Sequence, residues 1–499
     1  MAAILAIDQG TTGSTCLVID ETGRVQGRAY SEFTQHFPQP GWVEHDAAEI
    51  WDVTLAVARR ALAAAKLEAS AIAGIGITNQ RETVVVWDRA TGEPVHNAIV
   101  WQDRRTADRC RALRQAGHED DIRARTGLVI DPYFSGTKLE WLLEHVDGLR
   151  RRAEAGELAA GTIDAWLIWK LTGGRVHATE PTNASRTLLY NIDKLDWDDE
   201  LLSLLGVPRA LLPEVRPSSG IFGTADASLL GAEIPVAGVA GDQQAALFGQ
   251  RCWEKGRAKN TYGTGAFLLL HTGDRRVESE RGLLTTVACD PRGQPAYALE
   301  GSIFIAGAAV QWLRDELKVI ERADETAPLA ASLESNDGVY FVPAFVGLGA
   351  PHWQPEARGT IVGLSRGTGR AHLVRAALES MAYSTRDVLE AMIGDSGVEA
   401  QDLAVDGGAA ANDWLMQFQA DLLGLPVKRP QMLETTALGA AGLAGLATGV
   451  WPDAEAFGAS RPEPDGFQPD MSPAGRRTLV AGWNRAVAAA KAWAQADHA

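Results

Sequence analysis

Residues 4–20, ILAIDQGTTGSTCLVID, contain two short apolar runs on either side of a turn rich in glycine and threonine. This pattern predicts a β-hairpin. The turn supplies two glycines, Gly10 and Gly13, and two hydroxyl donors, Thr11 and Thr12. Glycines let a backbone come close to a ligand, so several amide N–H groups can converge on an anion. Asp8 ends the first run, where a magnesium ion or its waters can be held. The stretch suits a nucleotide phosphate tail, although an ordinary hairpin with a polar turn explains it equally well.

The composition of the chain limits the classes of protein to which it can belong. At 499 residues it is too long for one compact core and predicts two or three domains. A net charge of −17 argues against a nucleic-acid partner, because phosphate backbones are bound through an excess of Lys and Arg. ATP stays possible, since a local turn and a metal ion can hold its phosphates on an acidic protein.

The cysteines and the hydropathy pattern bear on the compartment. The four cysteines (Cys16, Cys110, Cys252 and Cys289) are far apart and form no CxxC pair, so we expect neither a structural metal site nor disulfides. No basic region precedes the first apolar run, and no apolar run reaches transmembrane length. We therefore expect a cytoplasmic protein with no membrane insertion.

Strand and helix patterns alternate along the chain. In the first half we predict strands at 71–78, 83–87 and 95–101, and helices at 48–66, 104–115, 137–145 and 163–171. Around residue 250 the pattern begins again: residues 259–272 repeat the plan of the opening hairpin, a third glycine-rich turn at 403–408 leads into a helix over 412–423, and 473–496 predicts a closing helix. Two α/β domains, residues 1–249 and 250–499, would each present a glycine-rich turn to a shared cleft.

The common nucleotide-binding motifs are absent from the sequence. It contains no GxxxxGK[ST], HRD or DFG, and no GxGxxG that opens a helix after a strand. The pair of hairpins, Asp-x-Gly-Thr at 8–11 and Gly-Thr-Gly at 263–265, is instead similar to the actin-like (ribonuclease H-like) ATPase fold of sugar kinases, actins and heat-shock chaperones. We expect two such α/β domains around an interdomain cleft.

Within that fold, motifs over nearly the whole chain resemble those of the FGGY carbohydrate kinases. They are residues 8–12 (DQGTT), 79–83 (NQRET), 99–105 (IVWQDRR), 131–138 (DPYFSGTK), 241–249 (GDQQAALFG), 260–265 (NTYGTG) and 406–408 (DGG). Arg81 and Glu82, together with Trp101 and Tyr133, narrow the resemblance to members that act on glycerol. The resemblance implies ATP- and Mg²⁺-dependent phosphorylation of glycerol to sn-glycerol 3-phosphate, in glycerol catabolism.

A glycerol site needs hydrogen-bond donors, acceptors and apolar walls, because each of the three hydroxyls both donates and accepts. Arg81 can donate and Glu82 can accept, while the ring edges of Trp101 and Phe267 form walls and Tyr133 adds a polar tip. The alternative for Arg81 and Glu82 is a solvated ion pair. The alternative for Trp101 or Phe267, taken singly, is a position in the core. The resemblance adds Gln243 to the substrate site.

Asp242 follows an apolar run near the expected domain junction and is our candidate for the general base. Kinases position, neutralise and deprotonate, and a carboxylate that accepts the proton of the attacking hydroxyl contributes roughly 10²–10⁴-fold. The alternative role for Asp242 is that of a helix N-cap.

The resemblance also implies a nucleotide site. It assigns Thr11, Thr12, Gly13 and Thr264 to the phosphates, Gly307, Gln311, Gly408 and Asn412 to the adenosine pocket, and Asp8 to magnesium through water. Gly307 and Gln311 are four residues apart on one predicted helix and so share a face. Asn412 has an equally good alternative as the N-cap of its own helix.

The chain departs from the pattern of the family in two places. The first hairpin has Thr15 where an arginine is usual and Gly13 where a serine or threonine is usual, so phosphate contacts should be weaker but present. Residues 231–233 are Gly-Ala-Glu where fructose 1,6-bisphosphate-sensitive members have Gly-Thr-Arg, and 224–233 contain no histidine to phosphorylate. We expect neither form of control.

The resemblance further suggests a homodimer or homotetramer. A pentulose kinase of the same family and an actin-like or chaperone-like ATPase are the two alternative functions. The first would require a larger substrate site, and the second would hydrolyse ATP without a polyol.

Overall fold

A computed structural model describes residues 2–495 and has a mixed α/β architecture built on two large sheets. The first sheet has six strands, in the order Ser219–Ala225, Ile234–Gly241, Ile72–Asn79, Ala3–Gln9, Gly13–Asp20 and Val25–Glu32. The predicted hairpin supplies its fourth and fifth strands: Ala3–Gln9 and Gly13–Asp20 pair antiparallel, and the turn is closed by a hydrogen bond of 2.9 Å from Gly10 N to Gly13 O. The predicted fold class is confirmed.

The first five residues of the opening strand, 3–7, are all apolar because both faces of the strand are covered by helices. Ala3, Leu5 and Ile7 pack in one core with the helices Ala47–Ala65 and Ile163–Leu171. Ile4 and Ala6 face a second core that contains the helix Thr435–Thr448.

That helix comes from the last part of the chain, yet it packs against the first sheet at a distance that only glycine permits. A β carbon at Gly76 would lie 2.3 Å from Ala440 O, and one at Gly238 would lie 2.3 Å from Ala444 N. The division of the chain at residue 249 stays a prediction.

The second sheet has seven strands, in the order Leu284–Cys289, Pro295–Ile303, Ala266–Gly273, Arg257–Tyr262, Asp402–Gly407, Val427–Arg429 and Asp465–Phe467. Arg257–Tyr262 and Ala266–Gly273 form the second predicted hairpin. The long helix Arg370–Ser396 packs against this sheet in the largest core of the protein.

A smaller sheet of four strands is inserted into the first half: Glu44–His45, Ala98–Ile99, Val84–Asp88 and Leu158–Thr162. The strand predicted at 95–101 is shorter than expected, because it pairs with a partner of only two residues. Three two-stranded sheets join Tyr190–Asn191 to Asp196–Trp197, Glu214–Val215 to Ala178–Thr179, and Tyr340–Val342 to Thr360–Val362.

The remaining helices cover these sheets. They are Ala107–Gln115, Glu119–Thr126, Ser135–His145, Leu149–Glu154, Pro181–Ala184, Asp199–Leu204, Ala227–Leu230, Asp242–Gly249, Gly307–Asp315, Thr326–Ala331, Asp413–Leu423, Ala454–Ala459 and Pro473–Gln495. Ala496, predicted as the end of the closing helix, lies outside the described residues. None of the helices in residues 2–495 combines the length and the hydropathy that a bilayer crossing requires.

Candidate active site

Three parallel strands of the first sheet end side by side and define the floor of the site. Gln9, Asn79 and Gly241 stand in register at the carboxyl ends of Ala3–Gln9, Ile72–Asn79 and Ile234–Gly241. The residues that follow them are therefore brought to one edge of the sheet, which is where open α/β sheets bind ligands. They include the glycine–threonine turn, Arg81 with Glu82, and Asp242.

The first turn is held in place by side chains from three other segments. Trp101 Nε1 donates to Thr11 Oγ1 at 2.9 Å, and Gln35 Nε2 donates to the Thr11 carbonyl at 3.1 Å. Gln80 Nε2 donates to the Gly10 carbonyl at 3.2 Å. His45, which is fully buried, lies behind this arrangement with its Nε2 2.7 Å from Gln35 Oε1. The turn is therefore preorganised, and Thr12 at its tip is exposed.

Gly13, the unusual residue of this hairpin, is explained by its neighbours. It is the first residue of Gly13–Asp20, and a β carbon there would lie 2.6 Å from Ser31 O and 2.8 Å from the ring of Tyr30. A serine or threonine does not fit at this position while Tyr30 occupies the space.

Arg81 and Glu82 belong to a buried network of four charged side chains. Arg81 makes a bidentate pair with Glu300, at 2.6 Å from Nη1 and 3.0 Å from Nη2. Arg186 joins both carboxylates, donating from Nε to Glu82 at 2.7 Å and from Nη2 to Glu300 at 3.0 Å. All four side chains are at most 2% exposed. Two cations alternate with two anions, so the network is neutral.

The network sets the charge state of its carboxylates. Burial by itself would raise the pKa of Glu300, but Arg186 and Arg81 lower it to about 2. For Glu82 burial is the larger effect, and its pKa is raised although Arg81 and Arg186 oppose the shift. Only Oε1 of Glu82 accepts from Arg186, and within residues 2–495 no donor is bonded to Oε2. Glu82 Oε2 is therefore the oxygen of this carboxylate that the network leaves without a hydrogen bond among the described residues.

Glu300 and Arg186 were not identified from the sequence. Glu300 lies in the middle of the strand Pro295–Ile303, and Arg186 follows the short helix Pro181–Ala184. A lone carboxylate inside an apolar strand is costly to bury without a partner. This is the one feature of the sequence from which Glu300 could have been identified.

Asp242 is the exposed carboxylate of the group. It opens the helix Asp242–Gly249, and its Oδ1 lies 3.3 Å from Arg81 Nε. The N-cap position itself belongs to Gly241, so the alternative role of Asp242 as N-cap is wrong. The Asp242 side chain is 35% exposed, whereas Arg81 is buried beside it. Of the carboxylates that pair with Arg81, it is the most exposed.

Lys259, a residue not predicted for the site, connects the second sheet to this helix. It is fully buried, and its Nζ donates to Gln243 Oε1 and, at 2.8 Å, to Thr261 Oγ1. Burial lowers the pKa of Lys259, although Asp406 and Asp242 act in the opposite direction. Gln243 is thereby held from the second half of the chain.

The predicted aromatic walls are partly assembled. The rings of Trp101 and Tyr133 meet edge to face at 5.5 Å between centroids, and Arg81 Nη2 lies 3.3 Å from Tyr133 OH. Phe267 is half-buried on the strand that follows the second turn, opposite Thr261.

The second turn brings several of the predicted nucleotide residues together. Tyr262 and Gly407 are in register in parallel strands, so Thr264 and Gly408 emerge at the same edge of the second sheet. The helix Gly307–Asp315 begins against this turn, with Gly307 N bonded to Gly263 O at 3.0 Å. A β carbon at Gly307 would lie 2.6 Å from that oxygen, while the space around Gly408 is open.

Gln311 and Asn412 are the other two residues predicted for the adenosine pocket. Gln311 is exposed on the helix Gly307–Asp315. Asn412 is the N-cap of Asp413–Leu423: its Oδ1 accepts from Leu415 N at 3.0 Å, and its Nδ2 donates to Thr326 Oγ1 at 3.1 Å. The alternative role of Asn412 is therefore confirmed, and its contact with a nucleotide stays a prediction.

Asp8 is the predicted metal contact. Burial, followed by the nearby charges of Asp242 and Glu434, raises its pKa to about 7. Among residues 2–495 no cluster of three His, Cys, Asp or Glu side chains could enclose a metal ion. The residues do fit Mg²⁺ in its usual role in phosphoryl transfer, held by one carboxylate, waters and phosphate oxygens.

The fold and this arrangement of charged groups define a kinase of the actin-like type, and comparison with known proteins identifies the family. The model of the FGGY family of carbohydrate kinases, N-terminal domain, matches residues 3–249, and that of the C-terminal domain matches residues 258–448. The chain belongs to the FGGY family of carbohydrate kinases.

Relatives that this chain matches over nearly their full length include glycerol kinases. The glycerol kinase of Listeria monocytogenes serotype 4a is 58% identical over 491 residues, covering 98% of this chain and 99% of that protein. The glycerol kinase of Petrotoga mobilis is 58% identical over 490 residues, which is 98% of each chain. The crystal structure of Plasmodium falciparum glycerol kinase with ADP superposes with a TM-score of 0.93 at 36% identity, covering 98% of both chains.

Proposed function

We propose that the protein transfers the γ-phosphoryl group of ATP to a terminal hydroxyl of glycerol, forming sn-glycerol 3-phosphate. The observation that carries this proposal is the position of Asp242. It is a partly exposed carboxylate at the edge of the buried Arg81 network, beside the strand edge that carries the glycine–threonine turn. The full-length relatives that are glycerol kinases support the choice of substrate.

Glycerol would bind on the side of Arg81 that faces Tyr133 and Asp242. The pair with Glu300 fixes the guanidinium plane, whereas the contacts to Tyr133 and Asp242 are both longer, at 3.3 Å. Hydroxyls of the substrate can replace these long contacts without breaking the short ones. Glu82 Oε2 would accept from a hydroxyl, and the rings of Trp101, Tyr133 and Phe267 would contact the C–H edges.

Asp242 would accept the proton of the attacking hydroxyl. A positioned general base contributes roughly 10²–10⁴-fold to a rate, and the remaining acceleration in phosphoryl transfer comes from orientation and charge neutralisation. Backbone amides and hydroxyls of the turn at Thr11, Thr12 and Gly13, with Thr264 opposite, would contact the phosphates. Mg²⁺ near Asp8 would neutralise phosphate charge when bound.

Three further features of the enzyme belong to the same proposal. Gly307, Gln311, Gly408 and Asn412 would line the adenosine pocket. The domains would comprise residues 1–249 and 250–499. The enzyme would act as a homodimer or homotetramer, without control by fructose 1,6-bisphosphate or histidine phosphorylation.

The test is ADP release from Mg·ATP with and without glycerol, measured for the wild type and for Asp242→Asn. We expect release that depends on glycerol and falls by about 10²–10⁴-fold in the variant. Asp199→Asn, which changes an exposed carboxylate far from the cleft, is the matched control and should retain full activity. Release that ignores glycerol would favour an ATPase, and a pentulose preferred over glycerol would favour another kinase of the family.

A further inference from the structure

A cavity lies at the amino ends of the strands Arg257–Tyr262 and Asp402–Gly407 in the second sheet. It has a volume of about 270 Å³ and is lined by residues from 249–252, 428–432 and 461–464, together with Arg257 and Asp402. Arg257 and Asp402 are the first residues of the strands Arg257–Tyr262 and Asp402–Gly407. The other ends of these two strands lead to the second turn and to Gly408. At ~3.3 Å per residue a strand of this length separates its two ends by roughly 17 Å.

The cavity is positively charged on a strongly acidic protein. Six charged side chains line it: Arg251, Arg257, Lys428 and Arg461, with Asp402 and Glu463. Four cations against two anions leave two positive charges in excess, whereas the whole chain carries −17. Asp402 pairs with both Arg257 and Lys428, and Glu463 pairs with Arg251.

Arg461 is the cation that these carboxylates leave uncompensated. In the part of the chain that the structure describes, its donors go to backbone carbonyls, Gly249 O and Phe457 O, and its guanidinium lies 4.3 Å from the centroid of the Phe457 ring. Its Nη2 is buried with no described partner, as is Arg257 Nε. Burial and the neighbouring Arg251 lower the pKa of Arg461 to about 9. A half-buried cation with a buried donor that lacks a described partner favours an accompanying anion.

We propose that this cavity is a binding site for a small phosphate-bearing anion, separate from the ATP and glycerol cleft. The excess of two positive charges matches a phosphate dianion, and Arg461 supplies a planar set of donors suited to phosphate oxygens. The volume accommodates inorganic phosphate or the monoester of a small sugar or polyol. The walls come from the residues after the helix Asp242–Gly249 and from the second sheet, so the ligand would lie between the two halves of the chain.

Equilibrium dialysis of the full chain tests the proposal, with radiolabelled inorganic phosphate as the probe at constant ionic strength. Saturating glycerol and a non-hydrolysable ATP analogue with Mg²⁺ keep the cleft occupied throughout. We expect one phosphate per chain, and we expect binding at least tenfold weaker in Arg461→Gln. Competition by glycerol 2-phosphate distinguishes the two kinds of site. At a site for a monoester it displaces the label more strongly than unlabelled phosphate does, and at a site for the free ion it does not.

Two further variants make the result decisive. Lys428→Gln changes a more exposed cation of the same cavity and should weaken binding several-fold even where Arg461→Gln folds poorly. Arg292→Gln changes an exposed arginine paired with Asp290 and should bind phosphate like the wild type. The proposal is overturned if the wild type binds no phosphate saturably, or if Lys428→Gln and Arg292→Gln bind it equally well.

Discussion

Replacement of Glu300 by glutamine tests whether the buried network holds the site together. Glu300 is fully buried and accepts from Arg81 Nη1, Arg81 Nη2 and Arg186 Nη2. Glutamine keeps the shape but removes the charge and turns one acceptor into a donor that faces a guanidinium. The network then contains two cations and one buried anion, Glu82.

The expected cost can be worked out in two ways that agree. The pKa of Glu300 falls from an ordinary 4.5 to about 2, and at ~1.4 kcal/mol for each tenfold change in proton affinity this corresponds to about 3 kcal/mol. Removal of one partner from a buried ion pair typically costs about 3–5 kcal/mol. Because the folded pKa is depressed, this contribution is present above pH 4.5 and is lost as the pH falls toward 2.

The assays are urea unfolding at neutral pH and kcat/KM for glycerol. We expect Glu300→Gln to lose about 3–5 kcal/mol of unfolding free energy and most of its activity, since Arg81 is no longer held in one plane. Combining it with Arg186→Met removes the excess cation and should recover part of the stability, as a double-mutant cycle would show. Glu278→Gln, at an exposed pair with Arg276, is the matched control. A loss below about 1 kcal/mol, or a double variant no more stable than the single one, would refute the reasoning.

Three other predictions concern the surroundings of the site. Burial and His36 lower the pKa of His45 to about 4, so between pH 4 and 6.5 the unfolded chain binds a proton that the folded chain does not. The free energy of unfolding should therefore rise over this pH range by up to about 3 kcal/mol. Urea unfolding at pH 5 and 7.5 measures the rise, which His45→Gln should flatten. Gly76→Ala should cost at least about 1–3 kcal/mol in thermal unfolding because its β carbon meets backbone at 2.3 Å. Gly466→Ala, at an exposed position where the β carbon would come no closer than 3.8 Å to the Gln468 side chain, should stay within about 0.5 kcal/mol; equal effects would contradict the packing. Lys259→Met should lower kcat/KM by about 10²-fold because Gln243 beside Asp242 loses its anchor, and an unchanged value would show that the anchor is unimportant.

The parts of the site that the sequence predicts are those formed locally. Each hairpin is a contact between neighbouring segments, and its glycines and threonines reveal the turn without knowledge of the rest of the chain. The helix Ile163–Leu171 has its predicted limits, because its C-cap Thr172 is followed by Gly173 and Gly174, which both adopt positive φ.

The parts that escape prediction depend on contacts between distant residues. Arg81 and Glu300 are 219 residues apart, and Arg186 and Glu300 are 114 apart, so no motif contains them together. The helix Thr435–Thr448 is hydrophobic on all sides and gives no preferred face, so its packing against Gly76 cannot be inferred from periodicity. Asn412 shows a different limit, because one residue type serves equally as a cap and as a ligand contact.

In the proposed reaction, the network would allow Arg81 and Asp242 to act on the same substrate with different roles. Glu300 satisfies the charge of Arg81 through two short hydrogen bonds, so Arg81 stays fixed when Asp242 moves away from its 3.3 Å contact. In the proposed reaction a glycerol hydroxyl displaces that contact, and Asp242 Oδ1 loses a donor. The hydroxyl itself is the replacement donor, and it carries the proton that must be removed. Under this proposal, binding and activation of the hydroxyl would be one step, and the pair with Glu300 would keep the guanidinium from following the carboxylate.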